Sequence, residues 1–236
     1  TVSLRGGMSV SELLPLQPGE RVVGLAPLGG ADGGSPGLAL GTRDGVVKVC
    51  APEWPVRSDE FEVIGLREGD EVIGATWLTD GTETLTFVTS DASLLRFAAS
   101  LVRPQGLKGG GMAGVNCSAD AAVVFFGAVR TDDPRHGEPM VVTSTGLSVK
   151  VTPFASYPAK GRATGGVRAQ RFLKGEAGLE LAWVGPRPVA STVFGSWSIT
   201  RTRRFALSIG VGSTFSALSD SAGRALVGVA IPLARS

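Results

Sequence analysis

The sequence predicts an all-β chain folded as a propeller-like ring of about four to five four-stranded blades. Three observations carry the prediction. First, a phrase recurs: Thr42-Arg43-Asp44-Gly45-Val46-Val47-Lys48-Val49, then Thr89-Ser90-Asp91-Ala92-Ser93-Leu94-Leu95-Arg96-Phe97, then Thr143-Ser144-Thr145-Gly146-Leu147-Ser148-Val149-Lys150-Val151. Each copy places a polar turn between two β-rich runs, the second of which ends on a cation. Those cations, Lys48, Arg96 and Lys150, stand 48 and 54 residues apart, and a strand-and-turn repeat of roughly 40–50 residues is the mark of a propeller. Second, the apolar runs are short, β-branched and bounded by Gly, Asp and Pro, which suits strands and excludes helices. Third, 34 Gly and 14 Pro among 236 residues supply many turns.

Taken in order, the first unit holds strands at 20–25, 38–42, 46–50 and 61–66. The second holds them at 71–78, 85–89, 94–97 and 112–117. The third holds them at 122–129, 140–143, 148–153 and 166–172. The fourth opens at 179–184, turns near 200–204 and closes at 225–231. The units run roughly 20–70, 70–121, 121–177 and 178–236, in one domain spanning 1–236, with 1–20 completing a blade. A phrase ends the units as Gly65-Leu66-Arg67-Glu68-Gly69-Asp70 and Phe172-Leu173-Lys174-Gly175-Glu176, and it also leads into the first at Leu14–Glu20. The chain begins mid-phrase, as an excised domain would. Between third and fourth strands runs a loop that aligns across units: Arg103-Pro104-Gln105-Gly106-Leu107-Lys108 matches Tyr157-Pro158-Ala159-Lys160-Gly161-Arg162. In the first unit the aligned cation becomes Asp59.

The net charge is only +2, yet its distribution is uneven. Residues 160–204 hold nine cations, Lys160, Arg162, Arg168, Arg171, Lys174, Arg187, Arg201, Arg203 and Arg204, against Glu176 and Glu180. The stretch 53–71 is acidic. A basic sector on a rigid scaffold is the electrostatic footprint of phosphate-backbone binding. The aromatics near these cations lie in strand-like runs, which favours core packing over base stacking and hence duplex over single strands. The candidate DNA contacts are Arg96, Arg103, Lys108, Lys150, Lys160, Arg162, Arg168, Arg171, Lys174, Arg201, Arg203 and Arg204.

Other chemistry finds little support. Cys50 and Cys117 are two thiols without a disulfide framework and read as core or edge residues in a reducing compartment. The single histidine, His136, lies in a polar loop far in sequence from both cysteines, so a protein-only zinc site finds no support. The segment 29–37 is Gly-rich but lacks the helix and the Lys-Ser/Thr of a phosphate cradle. No apolar run approaches the ~18 residues of a membrane span.

The turn Thr-x-x-Gly before a strand ending in Lys, the closing Leu-x-x-Gly-Asp/Glu and the loop Arg-Pro-x-Gly together resemble one family. It is the C-terminal β-pinwheel domain of the A subunit of bacterial type IIA topoisomerases, gyrase and topoisomerase IV. The resemblance rests mainly on 20–70, 91–114 and 157–176. It implies a non-catalytic domain that bends or wraps duplex DNA on its outer rim, with no cofactor of its own. Mg2+ and ATP would serve elsewhere in an A2B2 enzyme, where the B subunit hydrolyses ATP. The isolated domain would be a monomer, and the location cytoplasmic and nucleoid-associated. The family's cleaving tyrosine follows an Arg; the only tyrosine here, Tyr157, sits in Ser156-Tyr157-Pro158 and does not match. The basic gyrase motif Gln-Arg/Lys-Arg-Gly-Gly-Arg/Lys-Gly is absent. The nearest stretches are 160–166 and 107–111, which favours topoisomerase IV over gyrase. Composition and the stretch 59–64 suggest an actinobacterial source. Two alternatives remain at this level: a protein-interaction propeller using 53–71, and a propeller enzyme, for which no His-carboxylate or paired-carboxylate arrangement is present.

Overall fold

A computed structural model describes residues 16, 18–27, 34–55, 57, 60–132 and 137–186, with four two-residue strands beyond. The strands are β1 (Gly37–Thr42), β2 (Val46–Cys50), β3 (Val72–Leu78), β4 (Thr84–Thr89), β5 (Ser93–Ala98), β6 (Met112–Ala113), β7 (Val123–Val129), β8 (Met140–Ser144), β9 (Val149–Pro153), β10 (Val167–Arg168) and β11 (Leu181–Gly185). Further on, Ser191–Thr192 pairs with Leu207–Ser208 and Leu218–Ser219 with Ala225–Leu226. The fold is all-β, and among the described residues no helix is long and apolar enough to cross a membrane.

Three sheets follow one another. Their orders are β3-β1-β2-β6, β7-β4-β5-β10 and β11-β8-β9. The sheets do not coincide with the sequence units. Each is built on one unit's hairpin and flanked by strands of the next: β3 and β6 from the second unit, β7 and β10 from the third. The units are therefore interleaved, and a unit cannot complete its own sheet. The expected strands at 20–25 and 61–66 are not formed. The fourth-unit turn at 200–204 and Asp59 lie outside the described residues.

The hairpins turn as the recurrent phrase demands, with one change of register. Thr42 and Thr89 each accept a bond at Oγ1, from the Val46 amide at 3.1 Å and the Ser93 amide at 3.2 Å. Gly45 and Ala92 then take the left-handed conformation, at φ 86° and 63°. This is the type I turn plus left-handed residue common in hairpins. In the third turn the same duty falls to Thr145, whose Oγ1 accepts from the Ser148 amide at 3.1 Å, and not to Thr143. Thr143 lies inside β8, opposite Lys150.

The register decides where the repeated cations point. The last pairs before each turn are Gly41↔Val47, Val88↔Leu94 and Ser144↔Val149. Lys48 and Lys150 stand one residue past that pair, and Arg96 two past it. Since side chains alternate, Arg96 emerges on the opposite face from the two lysines. The sequence alignment of the three cations thus hides two different roles.

The core lies between the sheets. Val47, Val49, Leu85, Phe87, Leu95, Phe97 and Phe126 join the first two sheets. Val88, Leu94, Val141, Phe154, Leu179 and Val184 join the second and third. Phe87 and Phe126 meet at 4.8 Å between ring centroids. Each such buried ring contributes about 2–3 kcal/mol by removal from water. β3, β7 and β11 pack side by side, so they form the inner edge, and β6 and β10 form the outer edge.

Candidate nucleic-acid interface

The outer layer is made by the loops that lead into β6 and β10. The first loop leaves β5 through a 3-10 turn at Ala99–Leu101 and runs back along β2 of the preceding sheet. Its backbone is fixed there. The Gln105 amide donates to the Val49 carbonyl at 2.8 Å, and the Ala51 amide to the Gln105 carbonyl at 2.9 Å. The Gln105 side chain accepts from the Gly111 amide at 3.0 Å and closes the loop on itself. Arg103 and Lys108 are exposed along it.

The second loop, after the turn Phe154–Ser156, repeats the arrangement one sheet further on. The Lys160 amide donates to the Arg96 carbonyl at 3.0 Å. The loop then stitches to the chain just beyond β6. The Ala163 amide reaches the Gly114 carbonyl at 2.7 Å, and the Asn116 side-chain amide reaches the Ala163 carbonyl at 2.8 Å. The Arg162 guanidinium, itself exposed, donates to the Ala113 carbonyl at 3.1 Å. The Arg162 loop is therefore joined to the strand that the Lys108 loop feeds, and the exposed cations of consecutive units follow one another across the outer layer.

The remaining candidates divide. Arg168 is exposed on β10, opposite Ser93. Arg171 and Lys174 are exposed on the closing segment under the third turn. Lys150 is exposed along its stem, but its amine donates to the Ala169 carbonyl at 2.6 Å. Arg96 is half-buried, with its guanidinium 4.5 Å above the Phe154 ring. Burial pushes its pKa down, though an arginine stays charged. Arg201, Arg203 and Arg204 lie outside the described residues.

Acidic side chains secure the turns. Asp70 accepts from the Asp44 amide at 3.0 Å. Glu176 accepts from the Thr145 hydroxyl and from the Leu173 amide, both at 2.6 Å. In the middle unit the direction reverses, and Asp91 of the turn accepts from the Ser118 hydroxyl at 2.7 Å. Burial would raise the Asp91 carboxyl, but hydrogen bonds from Thr89, Ser118 and Ser93 outweigh it and leave it below the usual carboxylate range. The Leu173 amide first, then the Ser148 and Thr145 hydroxyls, holds Glu176 low as well.

A cleft of about 560 Å³ opens between the first turn, the segment 64–67 and β6; Asp44, Arg67, Asp70, Asn116 and Cys117 line it. The Cys117 thiol is pushed up by burial and by the Asp91 and Asp44 carboxylates, so it stays protonated and is a poor nucleophile. Cys50 is buried and is likewise pushed up by burial. Tyr157 is buried, with its hydroxyl 3.5 Å from the Ala169 carbonyl. Among the described residues no three His, Cys, Asp or Glu gather as a metal site.

Two features went unread in the sequence. Lys48 was visible as a repeat mark, yet nothing in its neighbours announced that it is fully buried. Two glycines in like contexts, Val22-Val23-Gly24 and Val72-Ile73-Gly74, stand 50 residues apart and would have marked close backbone approaches at the inner edge.

Comparisons with known proteins agree with this architecture. A family profile described as "DNA gyrase C-terminal domain, beta-propeller" matches residues 83–130 and 140–177. The DNA gyrase A protein of Mycobacterium tuberculosis is 30% identical over 165 residues, covering 68% of this chain and 19% of that protein. The DNA gyrase A protein of Escherichia coli is 31% identical over 163 residues, covering 68% of this chain and 18% of that protein. The chain thus spans about a fifth of the length of these curated relatives. A solved C-terminal domain of DNA topoisomerase IV superposes with a TM-score of 0.63 at 21% identity, covering 75% of this chain and 55% of that one. The chain belongs to the family of β-pinwheel C-terminal domains of bacterial type IIA topoisomerase A subunits, gyrase and topoisomerase IV together.

Proposed function

We propose that this domain binds duplex DNA along its outer layer, bends it, and presents it as the transported segment of a type IIA topoisomerase. The observation that carries the reading is the exposed series Arg103, Lys108, Lys160, Arg162 and Arg168 on loops and an edge strand fixed to consecutive sheets. Rigidly held cations spaced over successive sheets can straddle successive phosphates without reading bases. The domain does no chemistry itself. In the full enzyme an ATP-hydrolysing B subunit completes an A2B2 assembly, Mg2+ serves DNA cleavage elsewhere, and the enzyme acts on cytoplasmic, nucleoid DNA. By itself the domain is a monomer.

Titration of the domain against a fluorescent duplex at graded salt tests the binding. Affinity is expected to fall steeply with salt, and to be alike for unrelated sequences of equal length. Salt-independent or absent binding refutes the reading.

Bending without chiral wrapping, as in topoisomerase IV, is supported by the absence of the seven-residue basic gyrase motif from this sequence. Chiral wrapping is the second reading, favoured by the curated relatives, which are gyrase A proteins. Nicked plasmid religated with the domain bound separates them. An unchanged linking number supports bending, and a positive shift supports wrapping.

A further inference from the structure

The ammonium of Lys48 is fully buried, and three backbone carbonyls surround it: Val63 at 2.8 Å, Leu107 at 2.8 Å and Gly109 at 2.7 Å. An ammonium has three donors, so the set is complete. Two of the three acceptors bracket one residue, Lys108, at the exposed tip of the first outer loop. The third, Val63, lies just before the closing segment of the first unit. Burial pushes the Lys48 pKa down, with Cys50 and Glu62 opposing it. Buried charge is retained only where its partners are well placed.

We infer that Lys48 is a positioning residue for DNA binding: it never meets the DNA, but it fixes the backbone on both sides of Lys108 and so holds that cation toward a phosphate. The inference rests on the proposed outer-layer DNA path. Gly106, Gly109, Gly110 and Gly111 make this loop pliant. Gly109 sits between the Lys48 contact and a further bond from the Gly65 amide at 3.4 Å. Without the ammonium, the Leu107 and Gly109 carbonyls would turn toward water, and Lys108 would turn with them. The lysine aligned with it in the third unit, Lys150, is exposed and makes a single such contact, to the Ala169 carbonyl at 2.6 Å.

The test is a double-mutant cycle in the intact chain, with Lys48→Met, Lys108→Ala and the pair, each titrated with duplex DNA over a range of salt. Lys108→Ala should lower the slope of log affinity against log salt by about 0.9, the share of one phosphate contact. Lys48→Met should lower it equally although its charge faces no solvent, and the double variant should lose no more than either single. Additive losses, or a folded Lys48→Met with wild-type slope, overturn the inference. If Lys108→Ala itself has no effect, the outer-layer path fails instead. Amide hydrogen exchange on the unsubstituted protein supplies a check that needs no variant. The Gly65 amide, which donates to the Gly109 carbonyl that the ammonium also holds, should be protected, and exchange at the rate of an open loop would contradict the inference.

Discussion

Gly74 on β3 lies against the backbone of Phe126 on β7 so closely that a Cβ built on Gly74 falls 2.5 Å from the Phe126 carbonyl oxygen. Gly24 stands in the same relation to Ala75, at 2.7 Å. The inner strands of the first two sheets therefore touch backbone to backbone at Gly74, and the segment leading into the first unit meets β3 equally closely at Gly24. This contact sets how closely the sheets pack, and with it the spacing of the basic loops at the other edge.

Gly74→Ala should accordingly destabilise the fold by about 2–3 kcal/mol, because backbone must move to admit the methyl. Gly106→Ala, where nothing lies within 4 Å of the added Cβ, should change stability by no more than about 0.5 kcal/mol. Thermal unfolding of the two variants checks the pair, and equal melting temperatures would remove the inner contact from the account.

Arg96 should behave as a packing residue. Its guanidinium lies on the fully buried Phe154 ring, a contact worth about 1 kcal/mol at such a site. Arg96→Met is expected to lower the melting temperature and leave the salt slope of DNA binding unchanged. Arg162→Ala is expected to lower the slope by about 0.9. A slope reduced by Arg96→Met would return Arg96 to the interface.

The turn carboxylates predict an acid-side loss of stability. The Asp91 pKa is lowered in the folded state, so the unfolded chain takes up its proton first as pH falls. The stabilisation is present above the ordinary carboxylate pKa and is lost as pH drops through the folded value. Asp91→Asn should flatten the stability curve below pH ~4 and cost about 1–2 kcal/mol at neutral pH, through loss of charge-assisted bonds from Thr89 and Ser118. Chemical denaturation from pH 7 to pH 2 measures both. An undiminished acid dependence in the variant would assign it to other groups.

Much of this structure was legible in the residues. Gly45 and Gly146 announced left-handed turn positions, and β-branched runs announced the hairpins at 38–50, 85–97 and 140–153. The exchange of flanking strands was not legible, because β3 reads equally well as a partner of β4 or of β1, and local patterning carries no information about which is chosen. The one-residue difference between the second hairpin and the others was hidden for a related reason. Matching cation to cation looks correct in sequence, but the strand's two-residue period sends Arg96 to the opposite face from Lys48 and Lys150. Of the candidate DNA contacts, loop residues such as Lys108 and Arg162 could be placed outward from their Pro- and Gly-rich surroundings. The burial of Lys48 depends on carbonyls 15, 59 and 61 residues away, beyond the reach of any local signal.

The most direct measurement of the central claim is the salt dependence of duplex binding by Lys108→Glu, Lys160→Glu, Arg162→Glu and Arg168→Glu combined. All four side chains are exposed, so the fold should survive. If DNA lies along the outer layer, the slope of log affinity against log salt falls by about 3–4 and binding at ~100 mM salt is lost. A folded quadruple variant that keeps the original slope would place the DNA elsewhere on the domain.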